Sequence, residues 1–323
     1  MAKTKIEFVC RECGSSHHQW AGQCLDCKEW NTLEEVVISQ ATSSKPESLK
    51  DLPSSKVQNL SEIKSQNNHR LSTGLSELDR TLGGGLVDGS VVLIGGDPGI
   101  GKSTLILQAI AAINASSTTL YVSGEESAEQ VSDRAIRLGI KEDILFIGET
   151  HLEKIIKISK DTRPKVIVID SIQTMVTDLS NSAPGSVTQV RDCAAQLTQY
   201  AKQTNTILLM IGHVTKGGAL AGPRILEHMV DAVLYFEGDA GGRYRIIRAV
   251  KNRFGAVNEI SVFAMGEKGL QQVSNPSSIF LSNQENPSSG SMVMVTREAT
   301  RPLLVEIQAL VDQANGTPKR VSV

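Results

Sequence analysis

Residues 96–104 read Gly96-Asp97-Pro98-Gly99-Ile100-Gly101-Lys102-Ser103-Thr104, and the apolar run Val91–Gly95 leads directly into them. The first eight residues fit G-x-x-x-x-G-K-[ST], set between a buried strand and an apolar helical stretch, Leu105–Ile113. Glycines let successive backbone N–H groups turn toward one anion, and the partial positive charge of the helix start adds to them. Lys102 is then the residue that bridges β- and γ-phosphates, Ser103 supplies a hydroxyl for Mg²⁺, and Thr104 caps the helix. The nucleotide-binding candidates are Gly96, Asp97, Pro98, Gly99, Ile100, Gly101, Lys102, Ser103 and Thr104.

Outward from this loop the chain alternates. Thr119–Ser123, Ile144–Ile147, Val166–Ile169 and Ile207–Ile211 are short β-branched runs, and helical stretches such as Ala128–Leu138 lie between them. That pattern predicts an α/β fold with a mostly parallel sheet covered by helices. Ala232–Phe236, Tyr244–Val250 and Glu259–Ala264 follow closely and read as an antiparallel extension. Asp170 closes the run Lys165–Ile169, where a carboxylate holds the Mg²⁺ shell. Glu125 and Glu126 follow the second strand; Glu125 is the expected base for a water in line with the γ-phosphate, and Glu126 its support or a helix cap. His213 ends the next buried strand and is expected to sense the γ-phosphate.

Four of the five cysteines lie at Cys10, Cys13, Cys24 and Cys27, two C-x2-C pairs separated by ten residues. This pattern suits a tetrahedral Zn²⁺, one pair per knuckle. His17 and His18 are expected to be solvated, and Trp20 and Trp30 to pack on the small metal core. Residues 1–38 carry Lys3, Lys5, Arg11 and Lys28 against six acids, which argues against a strong phosphate grip by this unit alone. Cys193 stands alone and reads as a buried small apolar residue.

The whole chain has 323 residues, 40% hydrophobic and 21% charged, with a formal net charge of −2. Those figures describe a globular protein without a global basic field. No apolar run approaches the roughly 18 residues of a bilayer span, and the N-terminus has no apolar signal core. The expectation is a soluble cytoplasmic chain with no membrane contact. Ser39–Asn68 holds eight serines and little apolar content, so it reads as a linker, with a short docked segment near Leu60 and Ile63. Expected units are 1–38, a zinc ribbon; 39–68, a linker; 69–275, the ATPase domain; and 276–323, a linker and an incomplete further domain.

Residues 240–258 contain Arg243, Arg245, Arg248, Lys251 and Arg253 and no acid. Strand parity places Arg243, Arg245, Lys251 and Arg253 on one face and Arg248 on the other. A one-sign strip asks for an anion, either DNA phosphate or the nucleotide of a neighbouring subunit. Two loops rich in small residues, Met175–Val190 and Lys216–Glu227 (with Arg224), lie where a polymer would be gripped. Lys216, Arg224, Arg243 and Arg245 are the candidate DNA contacts.

These segments together resemble the bacterial RadA (Sms) family of RecA-superfamily ATPases. The likeness rests on the two C-x2-C pairs, Ser72-Thr73-Gly74 with Leu78-Asp79, Leu82-Gly83-Gly84-Gly85, GDPGIGKST, YVSGEES, VIVIDSIQT, HVTKGGALAGPRILEHMVD and Lys251-Asn252-Arg253-Phe254-Gly255. KaiC-like and RecA-like relatives share the phosphate loop but lack the finger and the KNRFG segment. The resemblance implies a RecA-like P-loop core with a four-cysteine zinc ribbon and ATP hydrolysis with Mg²⁺. It further implies a homo-hexamer moving on single-stranded and branched DNA during recombinational repair, and a RecA-type recombinase as partner. The two loops would line the ring's channel, while Lys251 and Arg253 would reach a neighbour's ATP or the DNA. Family members continue into a domain like that of Lon protease, of which Gly290–Val295 and Arg301–Leu310 read as the opening. Two other readings of the same residues are a KaiC-like regulatory ATPase and a nucleotide-gated adaptor that recruits a recombinase.

Overall fold

The computed structural model describes residues 4–10, 12, 15–39, 59, 70–180, 182–213, 226–238, 242–281 and 289–309. Cys13, Lys216, Arg224, Leu60 and Ile63 lie outside them, as does nearly all of the expected 39–68 linker.

The N-terminal unit is a three-stranded antiparallel ribbon. β1 (Thr4–Cys10) lies between β2 (Ser16–His17) and β3 (Leu33–Ser39). Cys10, Cys24 and Leu33 are buried at its centre, with Phe8, Ala21 and Cys27 against them. Trp20 and Trp30 do not join this core: they are 59% and 68% exposed. Among the described residues the buried set is Cys10, Cys24 and Leu33, too little surface for two indoles.

β4 (Arg70–Leu71) and β5 (Leu86–Val87) pair with each other on either side of α1 (Ser76–Thr81). The main body follows as β6 (Val91–Gly95), α2 (Lys102–Asn114), β7 (Thr119–Ser123), α3 (Ala128–Leu138), β8 (Leu145–Gly148), α4 (Leu152–Thr162), β9 (Val166–Asp170), α5 (Val187–Thr204) and β10 (Ile207–Ile211). β11 (Ala232–Glu237), β12 (Tyr244–Asn252), β13 (Ile260–Gly266) and β14 (Gly269–Gln272) complete a nine-stranded sheet in the order β14-β13-β12-β11-β6-β10-β9-β7-β8. β11, β6, β10, β9, β7 and β8 run parallel; β12, β13 and β14 are the antiparallel arm. This is the mostly parallel RecA-like α/β core expected from the alternating runs.

Every residue of β6, β7, β9 and β10 is buried, as mostly apolar parallel strands covered on both faces must be. One face packs on α2 and α3 through Leu105, Ile106, Ile110 and Val131. The other packs on α4 and α5 through Leu152, Ile155, Val190, Cys193 and Leu197. Cys193 is wholly buried, and burial pushes its thiol up to about 12. α3 opens on a capping box in which Ser127 and Gln130 bond each other's backbone. α5 begins at Val187, capped by the Ser186 side chain, so the segment expected as a loop through Val190 ends four residues earlier.

The basic strip divides differently from the parity expectation. β12 pairs with β11 so that Lys251 faces Val233 while Ala249 faces Leu234, which leaves Val250 as an extra residue in a bulge. The bulge reverses the alternation. Arg245 falls on the face of Ile247 and Ala249 and is 3% exposed, whereas Lys251 lies beside Val233 on the opposite face. Arg248 is held by Glu237 at 2.7 Å and Glu298 at 3.2 Å. Among the expected basic contacts that the structure describes, Arg243 stands exposed over the Tyr244 ring at 5.6 Å.

β15 (Ser291–Glu298) and β16 (Arg301–Gln308) form a hairpin joined to the core by Arg301–Glu77 at 2.6 Å and Arg248–Glu298. Met292, Val293, Met294 and Val295 on its first strand are all exposed. Among the described residues no helix is long and apolar enough to cross a membrane.

Candidate functional site

Four parallel strands deliver their carboxyl ends to one cleft of about 330 Å³. β6 brings the phosphate loop, β7 brings Glu125 and Glu126, β9 brings Asp170 and β10 brings His213. Pro98, Gly99, Gly101, Lys102, Ser103 and Thr104 line the cleft with those four residues. β6 and β9 are separated by β10, so the loop and the β9 carboxylate stand two strands apart across the site.

Gly101, at φ +112°, is the residue before α2, and the helix starts at Lys102 without a side-chain cap. A left-handed glycine turns the loop into the helix here, so Thr104 lines the cleft and does not cap the helix. The Lys102 ammonium donates to the carbonyls of Gly96 and Asp97, each at 2.8 Å. Burial draws its pKa down to about 8, partly offset by the charges of Asp170, Glu125 and Asp97.

Asp170 is buried and its carboxyl stands above the ordinary carboxylate range, because burial outweighs hydrogen bonds from Tyr121 and Ser103. The two glutamates following β7 part company. Glu125 accepts a hydrogen bond from the Ser171 hydroxyl, and its carboxylate oxygens lie 3.1 and 3.2 Å from His213 Nε2. The His213 bond, followed by that of Ser171, holds Glu125 below the usual carboxylate range in spite of its burial. Glu126 is instead paired with Arg134 of α3 through both carboxylate oxygens, one at 2.6 Å. Of the two, Glu125 keeps its carboxylate on His213, with the Lys102 charge also favouring its ionised form. His213 is held in turn by Gln173, whose side chain donates to its carbonyl at 3.3 Å.

Ser171, Gln173, Tyr121, Arg134 and Arg137 belong to this neighbourhood and were not singled out from the sequence. The turn of α3 offers a signal for two of them: Arg134 and Arg137 are three residues apart on one helix face.

Arg245 reaches the loop from the antiparallel arm. Its Nε donates to the Ile100 carbonyl at 2.9 Å. It therefore braces the phosphate loop and is not an exposed DNA contact. The KNRFG segment is also anchored within the chain. Lys251 Nζ donates to the Glu227 carbonyl at 2.6 Å, and Arg253 pairs with Asp231 at 3.4 Å while remaining 62% exposed. Asn252 donates to the Thr81 carbonyl at 3.2 Å and accepts from the Phe254 N–H, and the Phe254 carbonyl accepts from Arg70 at 2.8 Å. Gly255 meets Gly83 so closely that a Cβ built on either would come within 3.0 Å of the other's Cα. Two motifs 170 residues apart thus form one joint.

In the ribbon, Cys10, Cys24 and Cys27 bring their sulfurs into one cluster. Cys10 Sγ and Cys27 Sγ are 3.6 Å apart; tetrahedral Zn²⁺ with bonds of about 2.3 Å would space two sulfurs about 3.8 Å. Although burial opposes it, hydrogen bonds from Ser15, the Cys27 backbone, His17 and the Asp26 backbone bring the Cys24 thiol to about 5. The thiolate is the form that binds metal. His17 is not a solvated loop residue: it lies in β2, its Nε2 3.5 Å from Cys24 Sγ. The donor set and spacing fit a structural zinc.

Comparison with known proteins agrees with both units. The model of the family described as AAA domain matches residues 58–219, and that of the Rubredoxin metal binding domain matches residues 8–35. DNA repair protein RadA of Pseudomonas aeruginosa is 54% identical over 325 residues, covering all of this chain and 72% of that protein. The RadA proteins of Escherichia coli and Bacillus subtilis are 52% and 47% identical, again over all of this chain and 72% and 71% of theirs. With a RecA-like ATPase core and a cysteine-clustered ribbon in one chain, and half of its residues identical to such relatives throughout, the protein belongs to the RadA family.

Proposed function

We propose that this protein is a DNA-dependent ATPase of recombinational repair, moving on single-stranded DNA and driving branch migration. The observation that carries the hydrolytic part is the placement of Glu125 and His213 opposite Lys102, Ser103 and Asp170 in one cleft. Lys102 exchanges its two carbonyl partners for β- and γ-phosphate oxygens. Ser103 and Asp170 would hold Mg²⁺, which supplies charge neutralisation to the phosphates when bound. Glu125, kept ionised by His213 and Ser171, takes the proton of the attacking water. His213 bonds Glu125 just beyond β10, so a change at the γ-phosphate alters the bond that holds His213 itself. Arg253, exposed at the end of β12, serves an anion outside its own subunit, a neighbour's ATP or DNA phosphate, within a homo-hexamer. The names of the relatives support a role in DNA repair, and a RecA-type recombinase is the proposed partner.

The test is ATP turnover by the purified chain with and without single-stranded DNA, alongside DNA binding across a salt series. Stimulated turnover and binding that weakens linearly in log salt are expected. Absence of both would overturn the DNA motor and favour an ATPase acting on proteins.

A further inference from the structure

We infer that Tyr121 is a positioning residue for the site, fixing the Asp170 carboxylate from the neighbouring strand through its phenolic hydroxyl. The inference rests on the reading of Asp170 as the Mg²⁺-holding acid. β7 and β9 pair in parallel with Tyr121 opposite Val168 and Ser123 opposite Asp170. Residues two apart on a strand share a face, so Tyr121 and Asp170 are diagonal neighbours on one side of the sheet. A tyrosine spans that diagonal; its hydroxyl donates to Asp170 Oδ2.

The ring has no freedom to leave. It is wholly buried and belongs to the α2–α3 face of the core. Its partner across β8 is Phe146, in direct register, with ring centroids 6.2 Å apart and planes 17° from parallel. Packing alone would be served by phenylalanine. The hydroxyl is the one atom of this side chain that a phenylalanine would lack, and it is spent on the acid of the site. Ser103 bonds the same carboxylate from the phosphate loop, so Asp170 is gripped from the loop on one side and from β7 on the other. The Glu126–Arg134 ion pair beside them places a guanidinium charge that acts on both Tyr121 and Asp170. A carboxylate with these restraints has one orientation before any cation arrives, and reorienting it is a cost that Tyr121 removes from cation binding.

The experiment compares the full chain with Tyr121→Phe, Asp170→Asn and the double variant. Turnover is measured at saturating ATP over a Mg²⁺ titration, and nucleotide binding is measured in EDTA. Removing an outer partner of a metal-holding group costs roughly 10- to 100-fold in metal affinity or activity. Tyr121→Phe should therefore shift the Mg²⁺ activation midpoint upward or lower kcat by about that factor, with EDTA binding unchanged. In the Asp170→Asn background the same substitution should add nothing further, since its effect runs through Asp170. An unchanged midpoint and kcat in Tyr121→Phe, or losses that simply add in the double variant, would overturn the inference. If Asp170→Asn itself leaves the Mg²⁺ dependence of turnover intact, the fault lies with the reading of Asp170 and not with Tyr121 alone.

Discussion

Arg245 Nε bonds the Ile100 carbonyl at 2.9 Å, so the crest of the phosphate loop is tied to a strand 145 residues further along the chain. The guanidinium is buried and also donates to the carbonyls of Gly242 and Tyr244. Replacing it with methionine leaves the buried bond to the Ile100 carbonyl unmade, at about 1–3 kcal/mol for a buried unsatisfied group. Arg245→Met should lower the unfolding midpoint and weaken ATP binding together, whereas Arg243→Ala, at an exposed position, should change neither. Thermal melts with and without ATP check this.

Glu125→Gln should reduce kcat by about 10²–10⁴-fold, the contribution of a positioned general base, while leaving ATP affinity close to normal. Glu126→Gln leaves Arg134 in the cleft without its bidentate partner but keeps the base, so its loss in kcat should be much the smaller. Single-turnover hydrolysis together with equilibrium nucleotide binding separates the two variants.

The lysine of the loop makes ATP binding sensitive to alkali. Lys102 titrates at about 8 in the folded protein against the usual 10.5, so its positive charge disappears as pH rises through 8. Bound phosphates favour the charged form and raise that pKa. Affinity for ATP should therefore be level below pH 7 and fall progressively above pH 8, and binding near pH 8 should take up protons. The folding equilibrium has the opposite slope: the unfolded chain holds this proton more tightly, so the lysine's cost to stability is relieved between pH 8 and 10.5. Calorimetric titrations in buffers of different ionisation enthalpy, repeated with Lys102→Met as control, measure both effects.

The joint between Gly83 and Gly255 has no space for a methyl group. A Cβ on Gly83 would lie 2.9 Å from Gly255 Cα and from the Phe254 carbonyl, on a backbone already at φ +83°. Overpacking of this kind costs about 1–3 kcal/mol. Gly83→Ala and Gly255→Ala should each destabilise by that amount in denaturant melts. The effects should not add, because the first to push the two turns apart makes room for the second.

Much of this molecule is legible in its residues, for identifiable reasons. Phosphate chemistry demands contiguous residues of fixed type, so Gly96–Ser103 declares both itself and the strand and helix around it. Fully buried parallel strands are predominantly apolar runs, which makes β6, β7, β9 and β10 visible, with Asp170 closing β9 and Glu125 and Glu126 just beyond β7. The expected partition of the basic strip fails at a single residue, Val250, because a bulge is set by pairing with β11 and leaves no local mark. The sequence favours Glu125 over Glu126 as base; what sets the two apart in the structure is Arg134, which pairs with Glu126, and His213, 88 residues on, which bonds Glu125. Trp20 and Trp30 mislead because indoles are usually buried, and the ribbon is too thin to bury them.

The pairing of β6 with β11 has a consequence for anyone seeking a minimal version of this enzyme. The segment 58–219 that matches the AAA domain stops before β11 begins, although β11 lies directly beside the strand that carries the phosphate loop. Cut there, β6 would become a bare sheet edge of four apolar residues and Ile100 would lose its brace from Arg245. Homology boundaries and the autonomous folding unit therefore differ in this protein, and a fragment that keeps ATP must extend at least through β12.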